Sequence, residues 1–370
     1  MQTYFLKLED LPKFYKRIAE DYELYVPIKT QTPLKLKCDY GFDLPVDDYL
    51  LKKYSEVDNK EIVFNDYRCV EPLRSLFTHF KEVLCGYFNA DQVEDNIERP
   101  VAVCGLKSCD LFSLKIQDYI FLEGGQEDPI YRKRRDNTLL IASDCPNFKE
   151  ACFCRAFEIN PHASEGFDFN FSPLNHGYLL DVASDKAKKI ADSLEDLLTP
   201  ATIGQTSGRE EKRETVIKRI DEHLSHHKIP AKERLQDIVL SGYNSQIWRD
   251  QMLNCVECGG CVFMCDTCHC FLLEDKPEGR TSKKIRTWDG CLFKNFATVA
   301  GGANPLKLRY MRLRNRFLKK FDFFIANTGL QACCGCGRCI EVCPGRIDIR
   351  NILRKLHESR TFSDKRAGNS

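Results

Sequence analysis

The feature that most limits what this chain can become is a cysteine spacing that occurs twice. Cys255, Cys258, Cys261 and Cys265 follow C-x2-C-x2-C-x3-C, and Cys333, Cys336, Cys339 and Cys343 repeat it, with Pro344 after the second run. Thiols crowded in this way serve either a disulfide framework or metal. Disulfide frameworks belong to exported chains, and the segment MQTYFLKLEDLPKFYKR lacks the basic, apolar and small-residue series of a signal peptide. A chain of 370 residues also buries a core without staples. The 20 cysteines are therefore read as metal ligands in a reducing compartment, and a cytoplasmic location is expected.

The spacing is that of bacterial two-cluster ferredoxins, in which the fourth cysteine of each run ligates the other run's cluster. The reason is geometric. Three thiolates two residues apart wrap one cubane, and the fourth already lies on the departing chain, which reaches the sister cluster. Cys255, Cys258, Cys261 and Cys343 are thus expected to hold one [4Fe–4S] cluster, and Cys333, Cys336, Cys339 and Cys265 the other. Gly259, Gly260, Gly335 and Gly337 fit, because backbone N–H groups must approach the sulfurs closely. Zinc knots instead use cysteine pairs separated by a longer loop. One position departs from the pattern: Asp266, not proline, follows Cys265. Its carboxylate is expected to bear on the potential of the cluster beside it.

Outside these runs the cysteines are uneven. Residues 155–250 contain none, which marks a boundary. Before it, the apolar runs Val101 to Val103 and Leu139 to Ala142 read as short buried strands whose last residues deliver a thiol, with Cys109 and Cys145 at strand ends. Tyr178 to Val182 reads as another strand, followed by a helix with Ile190, Leu194, Leu197 and Leu198 in phase. Open α/β sheets place their sites at such strand ends. The expected architecture is an α/β N-terminal domain over 1–200 with an extra cluster site. A charged helical linker over 201–245 follows, then an α+β bacterial 2[4Fe–4S] ferredoxin-like domain over 246–358 and a tail over 359–370. In the linker, Val216, Ile217, Ile220 and Leu224 fall on one side of a helix. His223, His226 and His227 are read as surface residues, with no cysteine or carboxylate pattern to frame them.

Cys109, Cys145, Cys152 and Cys154 form a possible third cluster site, with Asp110 or Asp144 as substitute ligands. Cys268, Cys270 and Cys291 form a possible fourth, whose missing ligand is Asp275, Cys334 or a residue from the other domain. Cys38, Cys69, Cys85 and Cys104 have no spacing logic and are read as packing residues. Arg309, Arg312 and Arg316 share one helical face, where cations can stabilise a reduced anionic cluster or meet an acidic partner. Overall, 55 basic against 54 acidic residues give no support to nucleic-acid or lipid binding. No apolar stretch nears the ~20 residues needed to span a bilayer, and no G-x-G-x-x-G or Walker A motif is present.

The order SCD, SDC, CFC, the first four-cysteine run leading into CHCF, then WDGC, a basic stretch and CGCGRCIEVCP resembles the iron–sulfur β subunit of sulfhydrogenase-type NiFe hydrogenases and the corresponding iron–sulfur subunit of anaerobic sulfite reductase. The likeness covers roughly residues 95–350. It implies a relay subunit, with a flavin-containing NAD(P)H-linked subunit on one side and a catalytic redox subunit on the other. It also implies clusters beyond the ferredoxin pair. The competing reading is an enzyme in its own right, a disulfide or thiol reductase working at Cys268, Cys270 and Cys291.

Overall fold

The computed structural model describes residues 2–30, 47–58, 60–87, 99–279 and 281–367. Cys38 lies outside the described residues. Eleven strands are present among them: β1 (Gln2–Lys7), β2 (Glu23–Thr30), β3 (Asp48–Lys53), β4 (Lys81–Tyr87), β5 (Val101–Leu106), β6 (Thr138–Ser143), β7 (Phe169–Leu174), β8 (Gly177–Val182), β9 (Leu198–Pro200), β10 (Phe271–Glu278) and β11 (Thr281–Trp288). Eight of them form one sheet in the order β3-β2-β5-β6-β7-β8-β1-β9. Its middle is parallel, from β2 through β5 and β6 to β7, and the other pairings are antiparallel.

Strand alternation sends β5 and β6 side chains to both faces. Ala102, Cys104, Leu139 and Ile141 pack with Phe14, Tyr15 and Ile18 of α1 (Leu11–Asp21). Val103, Leu140 and Ala142 face Leu111 and Leu114 of α2 (Ser108–Asp118) and Tyr131 of α3 (Pro129–Asp136). A parallel sheet covered on both sides is the reason its strands read as unbroken apolar runs. Cys104 points into the first of these cores, its sulfur 3.4 Å from the Tyr15 hydroxyl. The predicted helix after β8 is shorter than its pattern, α4 (Asp185–Asp192), because the chain turns at Ser193 and Leu198 opens β9.

The charged segment forms α5 (Ile203–His227), which lies on the N-terminal part with Val216 and Ile220 buried against Phe148 and Cys152. The reading of its histidines as surface residues is corrected: His223 and His227 are buried, and only His226 is exposed. Positions 216, 220, 223 and 227 fall on one helical stripe, so both imidazoles turn inward with the apolar side chains.

The remaining helices, α6 (Leu235–Ser241), α7 (Ile247–Met252), α8 (Gly260–Phe263), α9 (Arg309–Leu318), α10 (Phe324–Thr328), α11 (Arg338–Glu341) and α12 (Ile349–Ala367), gather around the cysteine motifs. The α12 helix continues through residues expected to form a tail. Leu235, Trp248, Phe317, Ile352 and Leu353 build the core there, joined by Ala151, Phe153 and Phe157 from the CFC loop. The two parts interlock further, because β4 pairs with β11 in a three-stranded sheet, β10-β11-β4.

The close seam between CFC loop and second motif depends on two glycines. Gly335 and Gly337 have φ of +64° and +76°. A Cβ on Gly337 would stand 2.2 Å from the Ala151 carbonyl oxygen, and one on Gly335 would meet the Cys154 backbone at 2.6 Å. Gly337→Ala is therefore expected to lower stability by about 2 kcal/mol or more, since the left-handed backbone and an immovable neighbour add. Urea unfolding measures it; a loss below about 0.5 kcal/mol would contradict the seam.

Candidate metal centre

The two motifs fold as copies of one another. In each, a left-handed glycine (Gly259 or Gly337) precedes a four-residue helix, α8 or α11, and these helices pack together. One cavity is lined by Cys255, Cys258 and Cys261 together with Cys343. Another is lined by Cys333, Cys336 and Cys339 together with Cys265. The fourth cysteine of each run thus stands with the first three of the other. Cys339 lines both cavities, so the two sites adjoin. Backbone N–H groups of Glu257 and Ile347 donate to the Cys255 and Cys343 sulfurs, each at 3.4 Å.

The donors fit iron–sulfur cubanes better than single zinc ions. A tetrahedral Zn–S₄ site draws its sulfurs to within about 3.8 Å of one another. Among the described residues, no three cysteine sulfurs lie within 4.8 Å of each other. A cubane spreads its thiolates over four separate irons.

Two buried cations lie against these thiols. Lys320, in the wide turn that continues α9, donates to Cys265 Sγ at 3.3 Å, Thr267 Oγ1 at 2.8 Å and the Ala332 carbonyl at 3.0 Å. Arg316 donates to the Cys261 carbonyl at 2.9 Å and lies 3.6 Å from Cys268 Sγ. None of these partners is a carboxylate. A buried charge without a counter-charge is costly, and an anionic cluster supplies one.

Two cysteines outside the motifs act as hydrogen-bond donors to motif thiols. A bond from Cys268 holds Cys265 well below the ordinary thiol range, with burial opposing and Lys320 and Arg316 assisting. A bond from Cys334 lowers Cys336 to about 6, again against burial and helped by Arg338 and Arg68. The sequence signalled Cys268 as a ligand and Cys334 as a substitute ligand; in the fold each interacts with a motif sulfur close to it in the chain. Cys270 and Cys291 are electrostatic neighbours beside Asp289. Asp275, the other substitute, is exposed and paired to Lys284 at 2.6 Å across the β10–β11 ladder.

Beside the motif thiols, Asp266 also has a role across the chain. Its carboxylate is buried and turned to Arg338 Nη1 at 2.6 Å, which also holds Asp110 of α2 at 2.8 Å. Burial raises the Asp266 carboxyl to about 7, with Arg338 pulling the other way. Arg74 also reaches across, giving its backbone N–H to Asp266 at 3.2 Å and its guanidinium to the Val262 and Phe263 carbonyls. Asp266 is thus part of the bond between the two halves of the chain.

The third cysteine group adjoins the second motif. Cys109 opens α2, Cys145 follows β6, and Cys152 and Cys154 flank Phe153, whose N–H donates to the Gly335 carbonyl at 2.8 Å. Burial raises all four thiols. Three are further raised by others of the group: Cys154 by Cys152 and Cys145, Cys145 by Cys152, Cys109 by Cys154. Cys109 and Cys152 also sense Cys336. Asp110 and Asp144 are engaged elsewhere, Asp110 by Arg338 and Asp144 by Arg213 at 2.8 Å. A residue missed in the sequence stands here. Lys107 is fully buried and donates to the Asn65 carbonyl at 2.6 Å, Ser143 Oγ at 2.7 Å and the Asp144 carbonyl at 2.8 Å. This third cationic side chain, again with neutral oxygens for partners, adjoins Cys145.

The buried histidines belong to a structural network. Arg350 of α12 binds the Glu150 carboxylate at 3.0 and 3.2 Å and lies 3.2 Å from His227 Nε2, while His223 Nε2 lies 3.0 Å from the Glu150 carbonyl. The guanidinium thus lies against Glu150 and His227, two of the three side chains that come together here. Burial, then Arg350, pushes His227 down to about 4, and burial lowers His223. Unfolded imidazoles titrate near 6.5, so this contribution is complete above about 6.5 and is lost as pH falls toward 4. The stability advantage of wild type over His227→Gln is expected to shrink by about 1–2 kcal/mol over that window. Urea unfolding at pH 7 and 4.5 checks it, and a constant difference would count against it.

Comparison with known proteins agrees with the second half of the chain and extends to the first. Residues 254–347 match the 4Fe–4S dicluster domain family, so the chain carries at least two [4Fe–4S] clusters. No helix among the described residues is long and apolar enough to cross a membrane. Across 356 residues, 95% of this chain and 98% of the relative, it is 27% identical to sulfhydrogenase 2 subunit beta of Pyrococcus furiosus.

Proposed function

We propose that the chain is the electron-relaying iron–sulfur subunit of a cytoplasmic multi-subunit oxidoreductase. It passes electrons between a flavin-containing, NAD(P)H-linked subunit and a catalytic subunit of hydrogenase or sulfite-reductase type. One observation carries the reading: the thiol groups form a continuous series. It starts at exposed Cys258, crosses at Cys339 to the second motif, and continues from Cys336 to Cys109, Cys154 and Cys145. Similarity to a beta subunit supports partner subunits.

In this reading Cys255, Cys258, Cys261 and Cys343 hold the first cluster, and Cys333, Cys336, Cys339 and Cys265 the second. Cys109, Cys145, Cys152 and Cys154 hold a third. Bound clusters supply one-electron chemistry. The chain's own residues do the rest: Arg316, Lys320 and Lys107 keep positive charge beside the thiolates, which favours the more negative, reduced state. Packing around the second motif excludes water.

Anaerobic purification from the native source tests the proposal. A flavin subunit and a catalytic subunit should co-purify, and the isolated loaded chain should neither oxidise a nicotinamide nucleotide nor retain flavin. Reduction of a disulfide by the isolated chain, given an artificial donor, would instead favour a thiol reductase at Cys268, Cys270 and Cys291. Cys258→Ser and Cys336→Ser should each remove a different component of the interaction signal in reduced-state EPR; unchanged spectra would overturn the pairing.

A further inference from the structure

The two ferredoxin-type sites differ in one respect that their sequences do not show. Around the second site Cys265, Cys333 and Cys336 are buried, whereas at the first Cys258 is exposed. The surface around Cys258 is apolar and unusually open: Leu253 is 76% exposed, Val256 66% and Leu308 50%. Leu253 and Val256 flank Cys255 in the chain, and the segment carrying Leu308 is tied to the same cysteine. Val256 and Cys258 line the same cavity, and Arg309, next to Leu308, donates to the Cys255 carbonyl at 2.8 Å.

The rim of this patch is positive. Exposed Arg309 bonds the Cys255 carbonyl, exposed Arg346 gives its backbone N–H to the Cys343 carbonyl at 3.0 Å, and exposed Lys307 and Arg249 adjoin them through Leu308 and Tyr310. Arg249 lies over the Tyr310 ring at 4.4 Å, which fixes it beside α9. Glu257, the carboxylate inside the motif, is neutralised by Arg312, and exposed Asp250 follows Arg249 in the chain. An apolar centre with a cationic border, over the exposed edge of a redox site, has the form of an association surface.

We infer that the Leu253–Val256–Leu308 patch around Cys258 is an electron port that docks a redox protein whose own acceptor is ringed by carboxylates. The inference rests on the relay reading above and adds which end of the series meets a partner, and of what charge. At the port one electron leaves this chain and one enters the partner's acceptor, so oxidation here and reduction there balance. The opposite charges steer the encounter and fix its orientation, while the apolar centre excludes water from the contact.

The test uses the full-length, anaerobically loaded chain, with an acidic flavodoxin and a basic cytochrome c as probe proteins. Iron content and EPR are measured first. Oxidised flavodoxin is expected to bind with an affinity that falls as salt rises, and to accept electrons from the dithionite-reduced chain faster than its charge-reversed opposite binds or reacts at equal driving force. Lys307→Glu combined with Arg249→Glu should weaken flavodoxin binding about tenfold or more at low ionic strength and little at 1 M salt, where the Debye length is about 3 Å. Leu253→Glu should weaken it at both. Binding untouched by these substitutions, or tighter binding of cytochrome c, overturns the inference. So does a dimer that Leu253→Glu dissolves while flavodoxin binding stays the same, since the patch would then join two copies of this chain. A chain that takes up no iron overturns the relay reading as well, whereas a loaded chain indifferent to the substitutions overturns the port alone.

Discussion

Anaerobically purified, fully loaded protein is expected to contain about twelve iron atoms and about twelve acid-labile sulfides, against about eight for the ferredoxin-type pair alone. The excess is assigned to Cys109, Cys145, Cys152 and Cys154. Two features of the fold argue for it. The four thiols come from α2, from the end of β6 and from the CFC loop, separate elements, and are electrostatic neighbours linked through Cys154 and Cys152. Beside them Lys107 is buried with carbonyl and hydroxyl oxygens as partners, an arrangement that an anionic group next to it would stabilise. Cys145→Ser and Cys154→Ser should each lower the content by about four of each element and leave the EPR interaction of the ferredoxin-type pair in place. About eight of each in wild type would return these cysteines to packing, and about sixteen would add a site at Cys268, Cys270 and Cys291.

The parts of this site legible in the sequence are those encoded by short spacings. The two four-cysteine runs fix which thiols can share a cavity, because a chain leaving three ligands two residues apart has one direction in which to depart. Strand ends were legible for a similar reason: β5 and β6 are buried on both faces, so their apolar runs stop where the thiol-bearing loops begin. His223 and His227 were missed although the signal was present, since they keep the helical phase of Val216 and Ile220. The rest depends on contacts far apart in the chain. Nothing local to Lys107 tells that its ammonium is enclosed by the Asn65 and Asp144 carbonyls. The pairing of β4 with β11 joins segments about two hundred residues apart, and it makes the boundary suggested by the cysteine gap a seam between interlocked parts.

Asp266 is the clearest case of a residue whose chemistry changes with its partner, and it leads to the largest expected effect of a single substitution. Arg338 holds the carboxylates of Asp266 and Asp110 at 2.6 and 2.8 Å and also donates to the Cys69 carbonyl at 2.8 Å and the Val70 carbonyl at 3.1 Å. All three charged side chains are buried. Arg338→Met is therefore expected to cost about 3–5 kcal/mol, because two buried carboxylates lose their counter-charge and two carbonyls lose a donor. Arg338→Lys should recover little, as one ammonium cannot reproduce the fork that spans four acceptors. Replacing the whole triad, Arg338→Met with Asp110→Asn and Asp266→Asn, should be less damaging than Arg338→Met alone, since no buried charge is then left unpaired. The pH dependence has a defined sign. Burial already raises the Asp266 carboxyl to about 7, above its unfolded value, so its need for a cation grows as pH rises through that value and lessens below it. The deficit of Arg338→Met relative to wild type should accordingly be larger at pH 8 than at pH 6. Urea unfolding of samples matched for iron content measures all four proteins. A deficit below about 1 kcal/mol, or one that grows toward pH 6, would show that Arg338 does not join the two halves of the chain in the way its geometry indicates.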